Sequence, residues 1–250
     1  MLYYENKNGK LYQGDCLEVM DKLIKKGVKV DAIICDLPYG QTKNKWDSVI
    51  PFEDLWLRYD KLIKERGVIA LFGQGLFTAD LMNSNRKNWK YNLIWDKVLT
   101  SGFLNANRMP LRSHEDIVIF YKKAPKYYPQ KIIGNKNHSK GAPKNYNNNN
   151  YGDFDFVDNV EVLGDMKHPK SILQYSKPHP SIARHPTEKS VELYEWIIKS
   201  YSSENDLILD NCSGSGTLAE ASENTNRKWI CIEKEDKYCE ISKKRLEEKK

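Results

Sequence analysis

The sequence predicts an α/β fold, a doubly wound and mostly parallel sheet with helices on both faces. Apolar runs of strand length alternate with amphipathic segments of helical length along most of the chain, which is typical of such sheets. Near the C-terminus a glycine-rich turn joins an apolar run to a helical segment, as at ligand-binding strand–helix junctions. The 250 residues correspond to one large domain, or to one domain with a small insertion.

The elements of the first half follow from the spacing of apolar residues. Leu17, Met20 and Leu23 recur at helical spacing, whereas the next apolar run is continuous, as in a buried strand. In chain order, this reasoning predicts a strand at 11–15, a helix at 17–26, a strand at 30–35, a helix at 52–64, a strand at 67–72, a short helix at 77–83, and strands at 91–95 and 116–121.

Regular periodicity stops near residue 124 and returns near residue 187. The stretch 124–183 is rich in Asn, Lys, Tyr and Pro. We therefore expect residues 1–123 and 184–250 to form the α/β domain and 124–183 to form an irregular insertion. Beyond the insertion, the pattern predicts a helix at 188–200, a strand at 207–210, a helix at 217–224, a strand at 229–233 and a helix at 236–248.

Charge and composition limit the classes of function. The net charge of +6 fits a polyanionic partner, and residues 122–150 contain seven lysines and no acid. No apolar run approaches the ~20 residues of a membrane span, and the first residues lack the apolar core of a secretory signal. The five cysteines form no Cys-x-x-Cys pair. We expect a cytoplasmic protein with reduced thiols, no metal site and no membrane contact.

The segment Asp36-Leu37-Pro38-Tyr39 directly follows the buried strand at 30–35. A carboxylate there can accept a hydrogen bond, the proline makes the backbone rigid, and the tyrosine offers a flat face to a ring. This combination suits chemistry on an exocyclic amino group of a flat base. A structural strand-end turn is the alternative interpretation of the bare tetrapeptide.

A second motif follows the strand at 207–210. It consists of Asp210, Asn211, Cys212, Ser213, Gly214, Ser215, Gly216 and Thr217. Glycines there permit close approach of the backbone to a ligand, and the following helix presents free N–H groups. The turn lies near the C-terminus and lacks the Gly-x-Gly-x-x-Gly spacing, which argues against a nicotinamide dehydrogenase.

The two motifs together resemble the beta class of DNA amino-methyltransferases, in which the catalytic motif precedes the cofactor motif. Residues 36–39 match the Asp-Pro-Pro-Tyr of that family with Leu37 in place of the first proline, and Cys212 stands where the cofactor loop usually has an aromatic residue. The resemblance implies a Rossmann-like methyltransferase fold with circularly permuted motif order, S-adenosylmethionine as cofactor and DNA as substrate. It also implies that the strands before the two motifs lie side by side.

The resemblance further implies roles for individual residues. Asp36, Leu37, Pro38 and Tyr39 are expected to bind the target base. Glu233 is expected to bind the cofactor ribose and Asp210 to orient the loop, although each could instead cap a helix. Lys189 is expected to meet the cofactor carboxylate. The full predicted cofactor set is Asp15, Cys16, Asp36, Thr187, Lys189, Asp210, Cys212, Ser213, Gly214, Ser215, Gly216, Thr217 and Glu233. For Asp15 and Thr187, a helix N-cap is the alternative role.

Aspartate at the first position of the catalytic motif favours adenine N6 as the methylated atom, and cytosine N4 is the alternative. A catalytically silent nucleic-acid-binding protein on the same fold is the alternative from another class. The stretch 124–183 is interpreted as the target-recognition region, with lysines for phosphates and amides for base edges; a surface insertion is the other interpretation. The resemblance also suggests a homodimer, and a restriction enzyme as a possible partner.

Overall fold

The computed structural model describes residues 1–40, 48–135, 165–178 and 188–248. The strands are β1 (Leu2–Glu5), β2 (Gly9–Gln13), β3 (Val30–Cys35), β4 (Ile63–Gly73), β5 (Trp89–Ser101), β6 (Arg112–Phe120), β7 (Ile132–Ile133), β8 (Met166–Lys167), β9 (Ile172–Gln174), β10 (Leu207–Asp210) and β11 (Lys228–Glu233). The helices are α1 (Cys16–Lys25), α2 (Phe52–Leu62), α3 (Leu76–Ser84), α4 (Val191–Tyr201), α5 (Thr217–Asn224) and α6 (Asp236–Glu247), with a short 3-10 helix at Phe103–Asn105.

In the described part of the chain the main sheet has the strand order β1-β2-β11-β10-β3-β4-β6-β5-β9. The strands from β2 to β4 in that order all pair in parallel. Strand β6 runs antiparallel to both β4 and β5. The predicted fold class, a mostly parallel α/β sheet, is confirmed.

Helices cover both faces of the sheet, and the alternation of side chains along the strands supplies both cores. In β3, Ala32 and Ile34 join the core under α4, α5 and α6, whereas Ile33 joins the core under α1, α2 and α3. A strand buried on both faces reads as a continuous apolar run, which is why residues 30–35 show no polar alternation.

The strands that precede the two motifs are neighbours. Ile208 and Leu209 of β10 pair with Ala32 and Ile33 of β3, so both strands end at the same edge of the sheet. The expected adjacency of the two motifs is therefore confirmed. Ligands in doubly wound sheets bind beyond this edge, where the strand order reverses.

Some predicted boundaries are wrong. The helix expected at 188–200 begins at Val191, because the Ser190 hydroxyl caps it by accepting a hydrogen bond from the Leu193 amide at 3.4 Å. The helix expected to reach residue 64 ends at Leu62, because Ile63 is extended and pairs with Val30 of β3. Strands β1 and β9 were not predicted, since each is short and lies at an edge of the sheet.

Packing separates Met1–Tyr128 and Ser171–Lys250 from a second unit, Pro129–Lys170. Within the second unit, β7 and β8 form an antiparallel pair in which Ile132 lies opposite Lys167. The predicted division at residues 124 and 183 stays a prediction, as does the recognition role of that stretch, much of which lies outside the described residues. Among the described helices, none is long and apolar enough to cross a membrane.

Candidate active site

The carboxyl ends of β2, β3, β10 and β11 open into a cleft of about 790 Å³ within the larger unit. The cleft brings together most of the residues predicted from the sequence. It is lined by Asp15, Cys16, Asp36, Leu37, Pro38, Tyr39, Lys189, Asp210, Cys212, Ser213, Gly214, Ser215, Thr217 and Glu233. Gly216 lies outside the lining, and Thr187 lies outside the described residues.

Asp36 is the first residue after β3, and its carboxylate is held by two side chains. The Tyr39 hydroxyl donates to Asp36 Oδ1 at 2.7 Å, and the Lys189 ammonium lies 2.9 Å from Asp36 Oδ2. The Tyr39 ring packs against Phe77 with ring centroids 4.7 Å apart. The carboxylate is thus fixed in direction, while stacking of Tyr39 on a target base stays a prediction.

Lys189 bridges two carboxylates in the buried floor of the cleft. Besides Asp36, its ammonium contacts Glu115 Oε2 at 2.8 Å, and Glu115 Oε1 in turn contacts the Lys97 ammonium at 3.1 Å. The Lys189 side chain is only 7% exposed and the Lys97 side chain 5%. Two cations and two carboxylates therefore alternate in one network, as the cost of burying charge requires.

The faces of Phe72 and Trp95 also surround the Lys189 ammonium, with their ring centroids 5.3 Å and 5.7 Å away. Aromatic faces attract a cation through their quadrupole. The lysine is therefore held in place from several sides. The structure places it against the catalytic motif, and its predicted contact with a cofactor carboxylate stays a prediction.

The network shifts the pKa of Lys189, Glu115 and Asp36. Burial lowers the pKa of Lys189, but Asp36 and Glu115 outweigh burial and raise it. Burial raises the pKa of Glu115, but Lys189 and Lys97 outweigh it, and the net pKa is lowered. For Asp36, burial and the charge of Glu115 leave the pKa above its usual value despite Lys189 and Tyr39. Burial therefore opposes ionisation of Asp36, whereas its contacts with Lys189 and Tyr39 favour ionisation.

The glycine-rich turn is shaped by two residues with positive φ, Gly214 at 51° and Gly216 at 78°. The Gly214 amide donates to Glu233 Oε2 at 2.8 Å, and the Ser242 hydroxyl of α6 donates to the Gly214 carbonyl at 2.9 Å. A Cβ on Gly216 would lie 2.9 Å from Ser242 Oγ. At Gly216, φ and packing against α6 both favour glycine, and its predicted contact with the cofactor stays a prediction.

Asp210 and Glu233 end two adjacent parallel strands and present buried carboxylates to the cleft. Asp210 Oδ1 accepts from the Cys212 amide at 3.0 Å, and Glu233 Oε1 accepts from the Glu235 amide at 2.8 Å. Burial raises the pKa of Asp210 to about 7 and also raises that of Glu233. The alternative role as helix caps is wrong for both, since Gly216 precedes α5 and Glu235 precedes α6.

Asp15 has the capping role that the sequence left open. Its Oδ1 accepts from the Leu17 amide at 2.9 Å and from the Glu18 amide at 3.3 Å, at the N-terminus of α1. Asp15 and its neighbour Cys16 still line the cleft, so a cofactor contact stays a prediction for both. Cys212 also lines the cleft, and the Asn211 amide donates to its sulfur at 3.5 Å.

Sequence reasoning missed three residues that support the site. Glu115 and Lys97 complete the network beneath Asp36, and Arg245 of α6 binds the Ser215 carbonyl at 3.2 Å and Glu188 at 2.8 Å. Lys97 follows the strand predicted at 91–95 but lies within β5, which extends to Ser101. A charge beside the apolar residues of a strand is a usable signal for Glu115 and Lys97. Arg245 gave no such signal, because it lies among other charges at the end of a helix.

Comparison with known proteins gives consistent matches across the chain. A family model described as DNA methylase matches residues 30–244. The Type II methyltransferase M2.MboI of Moraxella bovis is 28% identical over 276 residues, covering 98% of this chain and 91% of that protein. The crystal structure of the M1.HpyAVI–SAM complex is 26% identical, covers 95% of this chain and 98% of that one, and gives a TM-score of 0.65.

A more distant structure shares the fold. The PvuII DNA methyltransferase, described as cytosine-N4-specific, is 18% identical and covers 98% of this chain and 88% of that one, with a TM-score of 0.67. At this identity the likeness concerns the fold alone.

Proposed function

This chain belongs to the DNA methylase family, and we propose that it transfers a methyl group from S-adenosylmethionine to the N6 amino group of adenine in DNA. One observation carries the proposal. The Asp36 carboxylate, fixed by Tyr39 and Lys189, lies in the same cleft as the buried acids Asp210 and Glu233. An acceptor for an amino group and a polar site for a cofactor thus share one cavity.

The cleft fits the cofactor in size and chemistry. Its volume of about 790 Å³ lies in the range of ~300–1,000 Å³ that is common for small-molecule sites. The Glu233 carboxylate accepts amide hydrogen bonds from Gly214 and Glu235 and has further acceptor capacity, which suits it to ribose hydroxyls. Asp210 offers a second carboxylate for the ammonium of the methionine moiety. When bound, S-adenosylmethionine supplies an electrophilic methyl group on a sulfonium.

Asp36 activates the nucleophile. The lone pair of an adenine amino nitrogen is delocalised into the ring, so the nitrogen attacks only if that conjugation is weakened. A carboxylate oxygen that accepts one amino N–H favours a pyramidal nitrogen and stabilises the positive charge that develops on it. Fixed acceptors directed at developing charge are usually the largest catalytic contribution. Asp36 Oδ1 has a lone pair beyond the one that accepts from Tyr39.

Lys189 favours the ionised form of this acceptor. Burial raises the pKa of Asp36, and the ammonium opposes that rise. Only the carboxylate accepts an N–H bond with full strength, so the rate of transfer falls as the pH falls through the raised pKa of Asp36.

The homodimer and the cognate restriction enzyme stay predictions.

Mass spectrometry of nucleosides tests the proposal. Methyl-free DNA is incubated with the protein and methyl-deuterated S-adenosylmethionine, beside Asp36→Asn and the matched exposed control Asp60→Asn. Deuterated N6-methyladenine with wild type and Asp60→Asn, but not with Asp36→Asn, is expected. N4-methylcytosine would change the base and keep the mechanism. Neither product, on single- or double-stranded DNA of varied sequence, would reject the proposal in favour of a silent DNA-binding protein.

A further inference from the structure

We propose that the loop between β5 and β6, residues 102–111, is a wedge that enters duplex DNA beside the target nucleotide and holds that nucleotide out of the stack. We name these residues the rim loop. The inference rests on the proposed function, because it assigns the loop a part in delivering the base to Asp36. It commits to duplex DNA as the partner that covers the loop.

The rim loop exposes three large apolar side chains to a high degree. Leu104 is fully exposed, Phe103 is 69% exposed and Met109 is 56% exposed. Single exposed apolar residues are ordinary on protein surfaces, but three within one short loop concentrate apolar surface in one place, which favours a binding surface.

The loop is nevertheless a formed structure. Gly102, with φ of 94°, precedes the 3-10 helix at Phe103–Asn105, and its carbonyl accepts from the Asn105 amide at 2.9 Å. The Asn105 carbonyl then accepts from the amides of Arg108 at 2.8 Å and Met109 at 3.0 Å. The apolar side chains are therefore presented by a local hydrogen-bonded framework, so that less order must be gained when a partner binds.

The base of the loop is part of the cleft. Ser101 and Arg112, which pair across β5 and β6 at the two ends of the loop, both line the cavity that contains Asp36. The Arg112 guanidinium donates to Gln74 Oε1 at 3.0 Å, and Gln74 is another lining residue. A nucleotide that enters the cleft therefore passes beside the rim loop.

The charge around the patch selects the partner. Arg108 in the loop and Arg112 at its end are exposed cations, and residues 102–112 contain no acidic residue. Cations beside an apolar tip suit a phosphate backbone next to a base stack, and side chains such as Phe, Leu and Met are those that proteins insert between bases. A second copy of the same acid-free segment would repel this one, which argues against a contact between rim loops.

The reaction on duplex DNA requires the target base to leave the stack, and a wedge would favour that state. A base inside a duplex cannot reach a carboxylate in the floor of a cleft until it is unpaired and unstacked. Apolar side chains that fill the vacated space replace part of the lost stacking. Phe103 and Leu104 are thus expected to affect how much of the DNA is in the flipped state rather than the chemistry at Asp36.

The test compares two substrates with the double variant Phe103→Ser/Leu104→Ser. One duplex is fully paired, and the other places the target adenine opposite an abasic site, where unpairing costs little. Both substituted side chains are exposed, so folding is unaffected, and Leu57→Ser serves as the matched control because Leu57 is an exposed leucine at 55% on α2. We expect transfer to the paired duplex to fall about tenfold or more, because contacts of the apolar side chains with the base stack are lost. Transfer to the abasic duplex should stay within about threefold.

Equal losses on the two substrates, or no loss on either, would overturn the wedge. A second readout is independent of turnover: 2-aminopurine at the target position should fluoresce with wild type and Leu57→Ser but only weakly with the double variant at saturating protein. Undiminished fluorescence with the double variant would refute the wedge, whether or not any substrate is methylated. The absence of methylation would separately reject the proposed function. Conversion of a dimer to a monomer by the double variant would assign the patch to a contact between copies and also refute it.

Discussion

Lys189→Met tests whether the buried cation holds the active site together. The substitution keeps the length and apolar stem of the side chain but leaves Asp36 and Glu115 facing each other without the ammonium that lies 2.9 Å and 2.8 Å from them. Removing one partner of a buried ion pair costs about 3–5 kcal/mol. The protein can avoid the repulsion by binding a proton, so the cost has an upper limit.

The upper limit on the destabilisation caused by Lys189→Met depends on pH. Neutralising a carboxyl group of ordinary pKa, about 3.9, costs about 4 kcal/mol at pH 7 and about 1.5 kcal/mol at pH 5. In the variant the folded-state pKa of the carboxyl pair rises above its unfolded value, so the folded state binds more protons and stability falls as pH rises. We predict a loss of about 3–4 kcal/mol in the free energy of unfolding at pH 7 and about 1–2 kcal/mol at pH 5.

Urea unfolding of wild type, Lys189→Met and Lys64→Met at pH 7 and pH 5 measures the change in the free energy of unfolding. Lys64 contacts Asp31 at 2.8 Å, but its side chain is 49% exposed, so its loss should change stability by no more than about 1 kcal/mol. A loss for Lys189→Met equal to that of Lys64→Met, or one that grows as the pH falls, would refute the reasoning.

Three further predictions concern the acids of the cleft. Asp210→Asn should stabilise the ligand-free protein at pH 8 by up to about 4 kcal/mol, because burial raises the pKa of Asp210 to about 7. This gain in stability should vanish toward pH 4. Thermal unfolding across pH measures it, and a gain independent of pH would contradict the prediction. Glu233→Gln should weaken S-adenosylmethionine binding about tenfold in calorimetry, whereas the exposed control Glu204→Gln should not; equal affinities would remove Glu233 from the cofactor site. Glu115→Gln should shift the acid limb of the transfer rate to lower pH, since the Glu115 charge raises the pKa of Asp36; an unmoved limb would separate Glu115 from Asp36.

The sequence was sufficient to predict the parts of the fold that depend on local patterns. Continuous apolar runs located β3 and β10, and helical spacing located α1 and α5, because a buried strand and an amphipathic helix leave different periods. The motif residues at their ends were predictable for the same reason. The adjacency of β3 and β10 came from the family resemblance, since no local pattern encodes which parallel strands pair.

The network beneath Asp36 was not predicted because it joins distant segments. Glu115, Lys97 and Lys189 lie on β6, β5 and the segment before α4, and one sequence without tertiary contacts does not reveal that their charges meet. The basic stretch that begins at residue 122 shows that lysines without acids nearby in the sequence can still be paired in the fold. Lys122 and Lys123 contact Asp60 and Glu65 at 3.0 Å and 3.1 Å, so an acid-free stretch of sequence is not an unpaired surface.

The rate of a single turnover with Asp36→Asn tests the central claim most directly. Saturating S-adenosylmethionine and DNA are used, cofactor affinity is measured in parallel by calorimetry, and Asp60→Asn is the matched control. If Asp36 is the acceptor that activates the amino group, the rate should fall at least about 100-fold while the cofactor dissociation constant changes by less than about threefold. A rate near that of wild type would contradict the account, because the fixed carboxylate would then have no part in the transfer.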